Sequence, residues 1–327
     1  MKQLLVCFVA MLSLSGNAAN QQEQVTLPEQ LTNNVKEDTE VQPYVAYLVA
    51  YMTGKDEKHL YYAVAEKDFV FEPVNEGRPV LSASFDDKLI RDPHVLRCPD
   101  GKFRMVATVS WKNRPFTLWE SDDLVNWKNE RLVDVAPEGA SKTWAPELAY
   151  DENKKRYVVY WTAEVNNDWK TAAIYYATTK DFKKWSKPAV LYASSDDGIL
   201  DANLIKVGDT WHLLYRYAKG IWEVTSKLIL GPYSNPHRVG NENVEGPFAF
   251  PLNDESGYGL VWDYYYGSCG FGLITTPDFQ SWTHQTNTHQ PYYNDKVRFP
   301  DGIRHGSILG LTAEELKRIK VNYSSAH

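Results

Sequence analysis

The chain has 327 residues, a formal net charge of −7 and 43% hydrophobic residues. That apolar share can bury a core and excludes an intrinsically disordered chain. The acidic balance, with no basic run, excludes nucleic acid as an expected partner.

Residues 1–19 have the pattern of a signal peptide. Lys2 supplies the positive start, Leu4 to Leu14 form an apolar stretch too short to cross a bilayer, and Asn17-Ala18-Ala19 offers small residues for cleavage. The expected location is therefore the periplasm or the exterior of the cell, without a membrane span. Residues 20–43 are polar, lack apolar periodicity and are expected to form a flexible leader.

From Tyr44 onward short runs rich in β-branched and aromatic residues follow one another. They include YVAYLVAYM, LYYAVA, FRMVATVSW, RYVVYWTA, AIYYATT, TWHLLYRY and YGLVWDYYY, bounded by Gly, Pro, Asp or Asn. The chain is expected to be all-β. Near its end, Thr312-Ala313-Glu314-Glu315 has capping-box spacing and predicts a short helix through Ile319, within a closing segment 312–327. Cys7 leaves with the signal, and Cys98 and Cys269 are expected to be free, buried thiols.

A repeat fixes the architecture. Ser121 to Trp127, Thr179 to Trp185 and Thr276 to Trp282 share the pattern Ser/Thr-x-Asp-Leu/Phe-x-x-Trp, and weaker copies begin at Glu66 and Ser226. The starts at 66, 121, 179, 226 and 276 are 55, 58, 47 and 50 residues apart. Units of that length holding several short strands are the blades of a five-bladed β-propeller over residues 44–311. Too little chain precedes the first copy for a whole blade, so a strand from Gly306 to Leu311 is expected to complete it, pairing the two chain ends and closing the ring. The expected blades are 44–74 with 303–311, then 85–133, 142–192, 199–240 and 243–290.

Three blade starts carry a carboxylate: Asp92 in RDPHV, Asp201 in LDANL and Glu245 in VEGPF. Innermost strands line the channel, so these acids, far apart in sequence, are expected to meet at one mouth. Glycoside hydrolysis needs a protonated acid and an ionised carboxylate, and clustered like charges push one pKa up. The aromatic fraction of 13%, with 11 Trp and 21 Tyr, suits sugar stacking as well as strand preference.

The set RDPHV, Trp144-Ala145-Pro146-Glu147, LDANL, VEGPF and Arg304-His305-Gly306-Ser307 resembles glycoside hydrolase family 43 over roughly residues 44–311. The resemblance implies a five-bladed propeller and an inverting hydrolase of arabinose-, xylose- or galactose-containing plant carbohydrates. It implies Asp92 as general base, Glu245 as general acid and Asp201 as modulator of the acid's pKa. It also implies that His305, deep in the channel, holds water around a structural calcium ion; no organic cofactor is implied.

Trp144 is a candidate sugar platform, and Glu147 is expected to support the mouth. Arg216 is expected to hold a substrate hydroxyl or Glu245. Arg91 is expected to be structural, and Asp86, Asp87 and Asp263 are acids without an assigned role. The first expected activity is an exo-acting α-L-arabinofuranosidase, with β-xylosidase and β-galactosidase as alternatives. A sugar-binding propeller without catalysis is the alternative of another class. Fructan-type propellers are disfavoured because no Asn-Asp-Pro-Asn segment is present.

Overall fold

A computed structural model describes residues 43–85, 89–266, 270–282 and 291–323. The expected signal peptide, the leader up to residue 42, Asp86, Asp87 and Cys269 lie outside the described residues. Cys98 is buried and unpaired.

Within the described residues the chain folds as a five-bladed β-propeller. Blade I orders Ile303–Thr312, Tyr44–Thr53, Asp56–Ala65 and Glu72–Pro73. Blade II orders Arg91–Arg97, Phe103–Thr108, Phe116–Ser121 and Trp127–Val133, and blade III orders Trp144–Asp151, Arg156–Val165, Asp168–Thr179 and Ala189–Tyr192. Blade IV comprises Leu200–Val207, Thr210–Tyr217, Gly220–Ser226 and Ser234–Glu242; blade V comprises Glu245–Pro251, Tyr258–Asp263 and Phe271–Thr276. In blade I, Tyr44–Thr53 pairs antiparallel with Ile303–Thr312, from Tyr44 opposite Thr312 to Thr53 opposite Ile303.

Each blade is covered on both faces, which is why its strands read as continuous apolar runs; Ala46 through Met52 are all buried. The core is accordingly divided among the junctions between neighbouring blades. Leu48 and Tyr62 meet Met105 and Trp119 between I and II, while Phe116 and Leu118 meet Val159 and Trp161 between II and III. Tyr160 meets Leu213 between III and IV, Leu214 meets Leu260 and Trp262 between IV and V, and Phe250 meets Tyr47 and Phe71 between V and I. Each fully buried side chain of this size stabilises the fold by about 2–3 kcal/mol.

The repeat is a turn built by its aspartate. Asp123 Oδ1 accepts the backbone N–H groups of Val125 and Asn126 at 3.0 and 2.7 Å, and Asp181 and Asp278 accept the equivalent pairs at 2.7–2.9 Å. The residue after each aspartate takes a left-handed backbone, φ 65° at Leu124, 56° at Phe182 and 59° at Phe279. That sends a large apolar side chain back into the core, where all three are at most 3% exposed. The local hydrogen bonds and this burial offset the strain of positive φ in a non-glycine residue.

The final helix is longer than the expected turn through Ile319 and spans Ala313–Tyr323. Its capping box is reciprocal: Thr312 N donates to Glu315 Oε2 at 2.9 Å and Glu315 N donates to Thr312 Oγ1 at 3.3 Å. The extra turn is held by Tyr323, whose ring meets Tyr62 edge-on at 6.2 Å.

Candidate active site

The inner strands of blades II to V begin with one shared irregularity. Pairing with the second strand slips between Arg91 and His94, Trp144 and Glu147, Leu200 and Asn203, and Glu245 and Phe248. Inside each slip one residue takes positive φ: Asp92 (50°), Ala145 (45°), Asp201 (52°) and Gly246 (57°). Bulges of this kind re-aim a side chain at a functional site. RDPH, WAPE, LDAN and EGPF are thus the same structural motif, and Pro suits its third position in three of them because that residue donates no ladder bond.

Hydrogen bonds pin the bulges of blades III, IV and V to the blade before each, and the bulge of blade II to its own second strand. Thr108 Oγ1 donates to Asp92 Oδ2 at 2.8 Å and accepts Ala145 N at 2.8 Å; Thr162 Oγ1 accepts Asp201 N at 3.0 Å. Asp201 Oδ2 accepts Gly246 N at 3.2 Å. The imidazole of His305 lies with Nδ1 3.4 Å from Asp92 Oδ1. It also packs so tightly on Gly246 that a Cβ there would come within 2.9–3.1 Å of its ring. Asp92, Asp201 and the Glu245-Gly246 corner are therefore brought together around His305. Glu245 retains solvent access, with 21% of its side chain exposed.

A second group of residues holds Glu245. Arg304 Nη2 donates to Glu245 Oε1 at 3.0 Å, and its Nε donates to Asp263 Oδ2 at 2.6 Å. Asp263 pairs directly opposite Glu245 in the sheet, is fully buried and also accepts His305 N at 3.1 Å. Its other oxygen, Oδ1, has no hydrogen-bond partner among the described residues.

These surroundings drive the carboxyls apart. Burial opposes the charge on Asp92, but His305, Arg91 and the Thr108 hydroxyl outweigh it and hold its pKa far below the usual carboxylate range. Burial, followed by the charges of Asp201 and Asp263, pushes Glu245 well above that range against the pull of Arg304 and His305. Burial and the Asp92 charge also raise Asp201. Burial opposes protonation of His305, yet Asp92, Asp201 and Glu147 overcome it and bring its pKa up to about 10, which favours the charged ring.

The fourth position of the motif lies one layer deeper and joins the blades. His94 Nδ1 accepts Leu148 N at 3.2 Å, Asn203 Oδ1 accepts Ala249 N at 2.9 Å and Ser307 Oγ accepts Val95 N at 3.0 Å. Burial and the His305 charge lower His94 to about 3, which keeps it neutral for this acceptor role. Glu147, expected to support the mouth, belongs to this belt. It is 3% exposed, and its Oε2 accepts Tyr160 Oη at 2.6 Å and Asn203 Nδ2 at 2.9 Å. Burial lifts its pKa to about 8.

Arg216, next to last in the second strand of blade IV, lies opposite Leu200, and its Nε is buried without a hydrogen-bond partner among the described residues. Its charge lowers the pKa of Asp201. Trp144 is half-buried at the rim, with Lys142 Nζ 4.2 Å above its ring and its Nε1 bonded to Trp111 O at 3.2 Å.

The oxygens beside His305 do not fit a calcium ion bound directly by side chains. Calcium takes six to eight oxygen ligands, whereas Asp92 is engaged by Thr108 and His305, and Asp201 by Gly246 N. Among the described residues no three His, Cys, Asp or Glu side chains converge as a metal-binding group.

Sequence reasoning leaves Asp263 and, within its quoted motif, Arg304 without a role, and does not single out Thr108. A signal was available: Thr108, Thr162, Arg216 and Asp263 pair with the first residue of their inner strands, Arg91, Trp144, Leu200 and Glu245. Aligning second strands as well as first strands would have placed all four at the mouth.

The fold and the site define a five-bladed β-propeller with carboxyls displaced in opposite directions at one mouth. The model for the family-43-related "Probable glycosyl hydrolase domain" matches residues 42–317. An α-L-arabinofuranosidase of Bifidobacterium longum subsp. longum is 24% identical over 91% of this chain, which spans 36% of that relative's length. A thermostable family-43 glycoside hydrolase of known structure superposes with TM-score 0.52 at 20% identity, covering 67% of this chain and 78% of its own. An α-L-arabinofuranosidase from Podospora anserina, solved with cellotriose, superposes with TM-score 0.52 at 17% identity, covering 69% and 78%. The chain belongs to the family-43-related glycosyl hydrolases.

Proposed function

We propose that residues 44–311 form an inverting, exo-acting glycosidase that releases arabinofuranose from plant-derived oligosaccharides or polysaccharides. The observation carrying this reading is the opposite displacement of two carboxyls at one mouth, Asp92 towards permanent charge and Glu245 towards protonation. Glu245 donates its proton to the glycosidic oxygen as the bond to the anomeric carbon breaks. Asp92 takes a proton from water, whose oxygen attacks that carbon from the opposite face. Exchange with solvent then returns both groups to their starting states.

Asp201 acts as a fixed neighbour that keeps Glu245 protonated. Arg216, whose Nε has no partner among the described residues, and the Trp144 ring bind substrate. The choice of arabinose is supported by the names of the Bifidobacterium and Podospora relatives. The segment 1–19 supports export of the chain.

Wild type and Glu245→Gln are compared on a nitrophenyl arabinofuranoside and on an arabino-oligosaccharide. Nitrophenolate leaves without a proton, so the variant is expected to lose about 10²–10⁴-fold on the oligosaccharide and much less on the nitrophenyl substrate. Asp92→Asn is expected to lose activity on both. Proton NMR of the first product formed tests inversion; a product with the substrate's anomeric configuration removes Asp92 from the role of base. Sugar binding without turnover by the wild type would favour a lectin-like propeller.

A further inference from the structure

The loop following Thr108 in blade II carries Trp111, which is 54% exposed beside the mouth. A single exposed Trp means little by itself, but this one is braced on several sides. The Arg91 guanidinium lies 3.7 Å from its ring centroid, and Arg91 is itself held by Glu57 at 2.5 Å. The indole Nε1 donates to the other Glu57 oxygen at 3.3 Å. Trp144 approaches edge-on, 6.2 Å between centroids and 87° between planes. With one face covered by Arg91 and an edge by Trp144, exposure above half leaves the opposite indole face open to solvent.

Its placement ties it to the reaction. Arg91 is the chain neighbour of Asp92, Thr108 bonds Asp92, and Trp144 Nε1 is anchored on the Trp111 carbonyl. We propose that Trp111 is a stacking platform for a sugar ring of the substrate beyond the one at the reacting bond. The inference rests on the glycosidase reading and specifies which substrates that site prefers. The apolar C–H face of a sugar suits an open indole face. Because Arg91 and Glu57 already hold that indole, little side-chain entropy is lost when the sugar arrives. Arg91, expected to be merely structural, becomes the support that orients the platform.

The test uses Trp111→Ala and Trp111→Phe, each in the active enzyme and in the Glu245→Gln background. In the active enzyme, kcat/KM is measured on a nitrophenyl monosaccharide and on a tri- or tetrasaccharide of the same sugar. Trp111→Ala is expected to fall at least ten times further on the longer substrate, and Trp111→Phe to recover most of that difference. In the Glu245→Gln background, calorimetry with the same oligosaccharide is expected to show binding weakened about ten-fold or more by Trp111→Ala. Equal losses on short and long substrates, or unchanged oligosaccharide affinity, would overturn the platform. Absence of turnover by the wild type would instead count against the hydrolase reading, and the binding comparison would still decide the role of Trp111.

Discussion

Asp263 offers the sharpest test of how the mouth is tuned. It faces Glu245 across the sheet and shares Arg304 with it, so replacing it with Asn acts twice in the same direction. The negative charge that disfavours ionisation of Glu245 disappears, and the Arg304 charge, no longer divided between two carboxylates, favours ionisation more strongly. Two unit charges about 6 Å apart at an effective dielectric near 20 interact by roughly 3 kcal/mol, equivalent to about two pH units. The alkaline limb of kcat/KM, which reports the acid of the free enzyme, is therefore expected to move down by about two units in Asp263→Asn. The acidic limb, set by Asp92, is expected to stay in place. Profiles on one aryl glycoside, with circular dichroism confirming the fold at each pH, make the comparison. An alkaline limb that stays put or moves upward would refute the electrostatic account of Glu245.

Gly246→Ala would place a methyl group within 2.9–3.1 Å of the His305 ring at a backbone with φ 57°. Displacement of the ring and positive-φ strand strain together should cost about 2 kcal/mol or more, read as a lower melting temperature together with lost activity. Glu147 has a folded pKa of about 8 against an ordinary 4.5. Its contribution is therefore complete at pH below 4.5 and declines by about 1.4 kcal/mol per pH unit until pH passes 8. Glu147→Gln removes that titration, so denaturant midpoints of wild type and variant should diverge in favour of the variant as pH rises from 5 to 9. Parallel curves would show that Glu147 ionises in the fold as freely as in the unfolded chain.

The propeller was legible because its most informative residues act locally. Asp123, Asp181 and Asp278 each bond the N–H groups two and three residues on, so their turn is written within seven letters. The positions of Asp92, Asp201 and Glu245 were legible for a related reason, since the bulge repeats with the inner strand. The depth of Glu147, fourth residue of the motif like His94 and Asn203, emerges only when the bulges are superposed. Asp263, Arg304 and Trp111 depend on pairing across strands and on contacts between blades. Arg304 meets Asp263 from 41 residues away and Arg91 meets Glu57 from 34. No local periodicity encodes such separations.

The bulges also separate what the backbone requires from what the reaction requires. Ala145 holds the same left-handed conformation as Asp92 and Asp201 with a non-glycine residue, so that turn already tolerates a side chain. The rim therefore works like a row of sockets of one gauge, in which the letter installed can change while the mount stays the same. At residue 145, only 2% exposed, the socket is filled by a methyl group, so that stretch of the rim contributes shape and no charge.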